Sequence, residues 1–193
     1  MMKKLFVIYL IGFNFFNSIS QTEAIKVYSW SEVAGCNPDT VFGLSFEKLK
    51  LDTLPSELSA FKNLKILNLG KNKLDELPEF LGDFNDLEVL DLSKNEFSIF
   101  PLPICKLTKL KKLIVNRNLF ESIPDCIKYC PDLEEVDLWD TPITGLPEGF
   151  YSLSKLKVLD LTGLRFGPTF QENLLLKFPN TKITMEPPCN CMK

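Results

Sequence analysis

Apolar residues return along this chain at an interval of 23 residues, which is its strongest regularity. The first position of successive intervals is held by Val41, Leu64, Leu87, Leu110, Leu133 and Leu156. Within one interval the apolar residues occupy the first, fourth and sixth positions, as Leu64, Leu67 and Leu69 do. Alternation of apolar and polar positions over so short a segment predicts a strand with one buried face.

The second half of each interval predicts a return segment. A proline recurs there at Pro55, Pro78, Pro101, Pro124 and Pro147. Because proline fixes φ, it predicts the point where the extended path ends and the return segment begins. Two further apolar positions follow, such as Leu81 and Phe84. One interval cannot bury its own apolar side, so we expect six stacked intervals to share one continuous core.

A polar position follows each predicted strand, where the chain must turn. It is held by Asn72, Asn95 and Asn118, then by Thr141, with Leu49 and Leu164 replacing it at the two ends. An amide at such a corner can satisfy backbone donors and acceptors that the turn leaves unpaired. The replacements predict atypical terminal repeats, as an array needs at its open ends.

The residues before the array predict an N-terminal cap. Ser29 and Glu32 have capping-box spacing for a short helix through about Cys36. The run Asn37-Pro38-Asp39 is predicted to end that helix before a first strand at Val41. Trp30 and Val33 on the helix would cover the open edge of the core.

The residues after the array predict a C-terminal cap. Gln171–Phe178 is predicted to be a helix that carries Leu174 and Phe178, and an extended piece follows at about Ile183–Met185. We expect this cap to shield the last strand from further pairing.

The first 20 residues have the pattern of a secretory signal peptide. Lys3 and Lys4 precede the apolar run Leu5–Phe16, and Ser18-Ile19-Ser20 has the small-x-small pattern of a cleavage site. The run is shorter than the roughly 20 residues that span a bilayer, which favours cleavage over an uncleaved membrane anchor. We therefore expect a mature chain that begins at Gln21, lacks an integral membrane segment, and is secreted or held in the periplasm or cell envelope.

The composition narrows the range of functions. The formal net charge of −3 argues against nucleic acid or an anionic membrane as the main ligand. The chain has no histidine, which excludes mechanisms that need an imidazole base or ligand. No glycine-rich phosphate-binding motif is present. We predict that the protein is not an enzyme and has no cofactor.

Six cysteines in an exported chain favour disulfides. Cys105 and Cys126 lie on the return segments of neighbouring repeats and could meet, whereas Cys130 holds a core position and is predicted to be a buried thiol. Cys189 and Cys191 could staple the tail to the last repeats, pair with another chain, or have no role. Zinc binding by these two with Cys126 and Cys130 is less favoured, since C-x-C is a weak metal motif.

The outward strand positions of stacked repeats form columns across the predicted sheet. One column is basic over four repeats, with Lys48, Lys71, Lys94 and Arg117, and the later repeats are acidic around an outward Trp139. Large aromatic anchors concentrate at interfaces. The predicted protein-binding face consists of Trp139, Glu135, Asp137, Asp140, Asp160, Ile114, Arg117, Lys94 and Lys71, and Leu119 could extend it.

Simpler explanations compete with this prediction. Lysine is a well-solvated residue that fills exposed corners without any further role. The cluster of Asp137, Asp140 and Asp160 could also be an acid-base pair or an oxygen-lined calcium site. Polar residues on a solvated strand need no special role, however, so a metal site is not predicted.

The repeat L-x-x-L-x-L-x-x-N-x-L-x-x-L-P-x-x-L-x-x-L resembles the leucine-rich repeat family, in its Leu-Pro subtype, over about residues 41–166. The tail Pro187–Cys191 is similar to that of small exported bacterial members. The resemblance implies an α/β solenoid, with a parallel concave sheet that binds another protein and short helical or irregular convex segments. It implies no enzyme activity.

The predicted organisation is a signal peptide at 1–20, an N-terminal cap at 21–40, repeats at 41–169, and a C-terminal cap and tail at 170–193. Two alternative functions stay open. The protein could be a structural cell-envelope component tethered through Cys189 and Cys191, or an intracellular or membrane-anchored scaffold if the signal is not cleaved.

Overall fold

The structure, a computed structural model, describes residues 24–188. These residues form one open parallel sheet whose strands follow one another in chain order. The strands are β1 (Tyr28–Ser29), β2 (Gly43–Ser45), β3 (Ile66–Asn68), β4 (Val89–Asp91), β5 (Lys112–Ile114), β6 (Glu135–Asp137), β7 (Val158–Leu161) and β8 (Lys182–Met185). The predicted signal peptide, 1–20, and the tail cysteines Cys189 and Cys191 lie outside the described residues.

The strand register reproduces the 23-residue period of the sequence. Leu67 on β3 pairs with Leu90 on β4, which in turn pairs with Leu113 on β5. All three are buried, with exposed fractions of at most 1%. The predicted α/β solenoid with a parallel sheet is confirmed, and the apolar period determines which residues meet.

A continuous apolar core runs behind the sheet from Val33 in the N-terminal cap to Phe178 in the C-terminal cap. Leu64 and Phe84 are completely buried in it. Burying one such side chain contributes about 1.5–3 kcal/mol before the entropy cost is subtracted. Each repeat packs mainly on the next, so the core is stable only as a stack.

The return segments are short 3₁₀ helices, which agrees with the predicted convex side. Each begins directly after its proline, and Pro78, for example, is extended with φ −65° and ψ 146° before the helix starts. The five helices are Ser56–Ala60, Glu79–Asp83, Leu102–Lys106, Asp125–Tyr129 and Glu148–Ser152. Proline suits this junction because its fixed φ is compatible with both the extended segment and the 3₁₀ helix. It also has no backbone N–H that would need a hydrogen-bond acceptor.

The buried asparagines satisfy backbone groups at the turns after the strands, as predicted. The side-chain amide of Asn95 donates to the carbonyl oxygens of Leu69 and Leu92, each at 3.0 Å. Its Oδ1 accepts from the backbone N–H of Leu74 at 3.1 Å. Thr141 makes one such bond, in which its hydroxyl donates to the carbonyl of Leu138 at 2.8 Å. The asparagine side chain therefore makes hydrogen bonds to its own repeat and to the preceding one, whereas the Thr141 hydroxyl bonds only within its own repeat.

The N-terminal cap differs in part from its prediction. The capping box of Ser29 and Glu32 is present, but the helix is a single 3₁₀ turn, Trp30–Glu32, and does not reach Cys36. Gly35 has a φ of 79°, which a helix does not allow, so the chain turns there.

Two further elements in this cap were not predicted. A second 3₁₀ turn, Pro38–Thr40, forms where the sequence suggested a terminator. Strand β1 precedes the cap helix, and the first repeat strand begins at Gly43 rather than at Val41. The predicted cover is confirmed, since the Trp30 ring stacks on Phe46 with centroids 4.8 Å apart.

The C-terminal cap contains the predicted helix and strand. Helix α1 spans Pro168–Lys177 and starts before the predicted Gln171, because proline suits the first helical position. Strand β8 pairs in parallel with β7. The extended piece therefore covers the edge of the last repeat, as predicted, and does so by joining the sheet as its new edge strand.

Candidate protein-binding face

The outward positions align in columns on one side of the sheet, which we call the concave face. The first of two central columns is Gly43, Ile66, Val89, Lys112, Glu135, Val158 and Lys182, and the second is Ser45, Asn68, Asp91, Ile114, Asp137, Asp160 and Thr184. The strand register brings the predicted residues of neighbouring repeats side by side.

The basic column lies where the backbone enters the left-handed region. Positive φ values recur at Lys48 (62°), Lys71 (59°), Lys94 (55°), Arg117 (53°), Asp140 (53°) and Gly163 (83°). Residues other than glycine seldom adopt this conformation, and residues branched at Cβ are the least suited to it. An unbranched lysine or arginine is compatible with the corner, so the column has a backbone explanation in addition to any binding role.

Most of the basic column is already paired with carboxylates. Lys71 Nζ lies 2.7 Å from Glu47 Oε1, and Arg117 Nε lies 3.5 Å from Asp140 Oδ2. The hydrogen bond with Glu47 raises the pKa of Lys71 and lowers the pKa of Glu47 in turn. Among the residues that the structure describes, Lys94 takes part in no ion pair. The ladder is thus a series of local pairs rather than a continuous basic strip.

Trp139 lies on the concave face, half-buried rather than fully outward. The guanidinium carbon of Arg117 is 5.3 Å from the centroid of the indole ring, which is a cation–π distance. The backbone N–H of Trp139 donates to Asp137 Oδ1 at 3.0 Å. The aromatic ring is therefore held in place from the preceding repeat.

The predicted acidic cluster divides into paired and unpaired carboxylates. Glu135 Oε2 lies 2.5 Å from Lys112 Nζ, and Asp140 is paired with Arg117. Asp137 and Asp160 face each other in the strand register and take part in none of the ion pairs among residues 24–188. These two carboxylates are the uncompensated negative charges of the predicted set.

Asp137 is partly withdrawn from water. Burial raises its pKa above the ordinary value for an aspartic acid, and the nearby charges of Asp160 and Asp91 raise it further. Hydrogen bonds from the N–H of Trp139 and from Asn116 Nδ2, at 2.6 Å, act in the opposite direction. A half-buried position and like-charged neighbours therefore disfavour the ionised form of this carboxylate.

Apolar side chains lie beside these polar groups. Ile114 is half-buried on β5, in register between Asp91 on β4 and Asp137 on β6. Leu119 follows the corner of the same repeat and is 59% exposed. Both lie one repeat before Trp139, where the sequence predicted an apolar extension of the patch.

The cysteines that the structure describes lie away from this face. Cys105 and Cys126 form a disulfide between two neighbouring 3₁₀ helices, with Cα atoms 5.6 Å apart. Cys130 is completely buried, as predicted, and its Sγ donates to the carbonyl of Ile104 at 3.2 Å. Burial raises its pKa to about 12, so the thiol stays protonated and inert at neutral pH.

Asn116 belongs to the site although sequence reasoning passed over it. Gly70 and Ser93 hold the same position in the two preceding repeats, and nothing in a single sequence distinguishes Asn116 from them. Its contact with Asp137 crosses from one repeat to the next, 21 residues along the chain. Only the strand register shows which asparagine lies beside which carboxylate.

The face offers oxygen acceptors and one aromatic ring, with no convergent metal ligands. Within residues 24–188, no group of three or more acidic or cysteine side chains is placed to hold a metal ion. The arrangement can recognise polar and apolar groups of a partner through hydrogen bonds, charge and ring contacts.

Comparisons with known proteins identify the family. The family profile for the leucine-rich repeat region matches residues 44–175, about two thirds of the chain, and the protein belongs to this family. Members and their folds are typically non-enzymatic protein-binding modules. A solved leucine-rich repeat protein of Leptospira interrogans is similar, with 27% sequence identity and a TM-score of 0.59.

The match to the Leptospira protein covers 76% of this chain and 43% of that longer chain. No match was found among curated proteins. Within residues 24–188, no helix is long and apolar enough to cross a membrane.

Proposed function

We propose that this protein is an exported, non-enzymatic module that binds another protein on the concave face. The observation that carries the proposal is the placement of Trp139 on that face. Its ring is held by Arg117, and its backbone by Asp137, before any partner arrives. An aromatic anchor that is already fixed loses little conformational freedom on binding.

The surroundings of Trp139 support an interface. Ile114 and Leu119 supply apolar area, while the pairs Lys112–Glu135 and Arg117–Asp140 supply a polar border. Apolar centres with polar rims are usual in protein–protein interfaces. The family supports the same conclusion, because leucine-rich repeats bind other proteins.

Two features support export. The first 20 residues have a signal-peptide pattern. The disulfide between Cys105 and Cys126 also suits an oxidising compartment, because structural disulfides persist there and are rare in the cytosol.

The test begins with the protein purified from the medium or the cell envelope, whose intact mass is measured with and without reduction and alkylation. We expect a chain that starts at Gln21 and contains paired cysteines. A full-length mass with six free thiols would overturn export and favour an intracellular or membrane-anchored scaffold.

The same preparation then tests the face. Proteins captured by the wild type are compared with those captured by Trp139→Ala and by Leu176→Ala. Leu176 is 78% exposed on α1 and serves as the matched loss of an exposed apolar side chain. We expect Trp139→Ala to weaken capture about tenfold or more and to leave the array folded, with at most a small fall in melting temperature. A lower melting temperature with unchanged capture would make Trp139 a structural residue.

A further inference from the structure

Three carboxylates on the concave face lack a cation. Asp91 on β4, Asp137 on β6 and Asp160 on β7 occupy one column, and none forms an ion pair with a described residue. Other acids on this face, such as Glu47, Glu135 and Asp140, are paired with lysine or arginine. No ion pair among the described residues therefore compensates Asp137 or Asp160, whereas Asp91 lies close enough to Lys71 for its charge to raise the pKa of that lysine.

The turns after these strands use a side-chain oxygen at this column position, but they do not require that oxygen to be charged. Each aspartate accepts the backbone N–H two residues ahead, and for Asp137 and Asp160 these distances are 3.0 and 2.9 Å. Asn68 on β3 does the same for Gly70 at 2.9 Å, without a charge. A neutral amide thus satisfies the turn, so the carboxylates exceed what the turn requires.

One oxygen of Asp160 remains available to a ligand. Its Oδ1 accepts both the backbone N–H and the hydroxyl of Thr162, at 2.9 and 2.6 Å. Its Oδ2 accepts no hydrogen bond from residues 24–188. In Asp137, by contrast, Oδ2 accepts from Asn116 Nδ2 at 2.6 Å, and a carboxylate oxygen can accept a second bond.

Asn116 supplies an independent sign of a missing donor. The residue is 9% exposed, and its Oδ1 is the one buried side-chain oxygen or nitrogen without a hydrogen-bond partner among the described residues. Oδ1 and Nδ2 belong to one planar amide, and Nδ2 contacts Asp137. The orphan acceptor therefore lies beside the carboxylate. A buried acceptor is costly to leave unpaired, so the site favours a ligand that donates.

The local electrostatics agree with this. Burial, and then the charges of Asp160 and Asp91, raise the pKa of Asp137, which shows that its ionised form is poorly compensated. Arg117 does not supply the compensation, since it is engaged by Asp140 and lies over the ring of Trp139.

We propose that Asp137, Asp160 and Asn116 receive the side chain of a lysine or arginine from the protein partner. An ammonium group has three donors and a guanidinium five, which suits several acceptors with two negative charges. A metal ion fits less well, because no three acidic groups converge in the described chain. This assignment rests on the proposed function and adds the chemistry of the partner.

The matched variants each remove two negative charges. Asp137→Asn/Asp160→Asn removes both charges from the site and keeps an oxygen for each turn, as Asn68 does in the same column. Asp75→Asn/Glu121→Gln alters two exposed acids that lie outside the strands and form no ion pair with a described residue. The single change Asp160→Asn is the reserve if the double variant does not fold.

The binding experiment titrates the full exported chain with a blocked peptide of lysine and glycine, and with a matched peptide that has glutamine in place of lysine. NMR follows the side-chain amide signals of Asn116. We expect the lysine peptide alone to shift these signals, with affinity about tenfold weaker in Asp137→Asn/Asp160→Asn and nearly unchanged in the control variant.

Several results would overturn the inference. Equal weakening by both double variants would indicate nonspecific attraction. Equal shifts with both peptides would show that charge is not recognised, and a response to calcium chloride at lower concentration than to the lysine peptide would indicate a metal site.

Capture of the partner by the variants distinguishes a failure of this inference from a failure of the proposed function. Binding that depends on Trp139 but survives Asp137→Asn/Asp160→Asn would leave the proposed function standing and overturn the proposed recognition of a lysine or arginine. Capture that is insensitive to Trp139→Ala would instead contradict the proposed face, whatever the peptide titration gives.

The melting temperature of Asp137→Asn serves as the folding control. A carboxyl group with a raised folded-state pKa holds its proton more tightly in the folded chain, so its contribution to stability is lost as the pH rises through that pKa. At neutral pH the ionised Asp137 opposes folding, and the variant should melt at or above the wild-type temperature.

Discussion

At the scale of single residues, the same position of each repeat performs the same backbone task with different side chains. The corner position has positive φ whether it holds Lys94, Arg117 or Asp140. The buried corner asparagines satisfy carbonyls of two repeats at once. Side-chain charge is free to vary at the first position, whereas the second is buried and holds a side chain that satisfies backbone carbonyls, an asparagine in three repeats and Thr141 in the next.

At the position with positive φ, we expect a side chain branched at Cβ to lower the stability of the fold. Lys94→Val should lower the free energy of unfolding by about 1–3 kcal/mol, because valine tolerates positive φ poorly. Lys94→Gly should change it by no more than about 1 kcal/mol, since relief of strain is offset by the freedom of glycine in the unfolded chain. Urea denaturation measures both. Equal stability of the two variants would mean that the corner is not strained.

At the scale of elements, neighbouring repeats are joined by side chains as well as by the sheet. The residue just before each strand from β3 to β7 is alternately a lysine and a glutamate along the array. Lys111 Nζ, for example, lies 2.6 Å from Glu88 Oε2 of the preceding repeat. A second such contact joins Lys157 and Glu134 at 2.6 Å. These ion pairs are largely exposed, so they add little to the free energy of unfolding and act mainly by favouring the correct alignment of neighbouring repeats.

The disulfide is the strongest single link between two convex helices. Replacing Cys105 and Cys126 with serine should lower the free energy of unfolding by about 3 kcal/mol, because the closed loop of about 20 residues restricts the unfolded chain. Urea denaturation of the oxidised wild type and the double variant measures the difference. Peptide mapping without reduction should find these two cysteines linked and Cys130 free. A pairing that includes Cys130 would contradict the structure.

At the scale of the whole molecule, the principal contacts join adjacent strands of the sheet and the convex helices of neighbouring repeats. Stability is then approximately a sum over repeats and their interfaces, and the ends are the weakest points. Trp30 covers the N-terminal end. Beside it lies an open apolar groove of about 270 Å³, lined by Trp30, Phe46, Leu49, Leu51, Thr53, Leu54 and Pro55.

Removal of this cover should loosen one end and not the other. In Trp30→Ala, Phe46 loses its stacking partner, and we expect faster hydrogen exchange in β1 to β3 with unchanged rates in β5 to β7. A Phe80→Ala variant, which trims a half-buried ring within the array, is the control for loss of aromatic area. A uniform rise in exchange along the whole chain of Trp30→Ala would show that the stack unfolds as one unit.

The sequence by itself determined the repeat, the parallel sheet, the buried asparagines and the columns of the concave face. These follow from the 23-residue period, which places equivalent residues in register whatever the details of each turn. It also predicted Cys130 as a buried thiol, because that residue occupies an apolar position of the pattern.

The tertiary structure decided what the period does not encode. The caps lie outside the repeat, so the stop at Gly35 and the addition of β8 to the sheet depended on local backbone geometry and on an available edge. The pairing of Arg117 with Asp140, and the orphan oxygen of Asn116 beside Asp137, arise between repeats. A periodic sequence specifies which positions face one side, but only packed neighbours determine which charges are neutralised there and which remain for a partner.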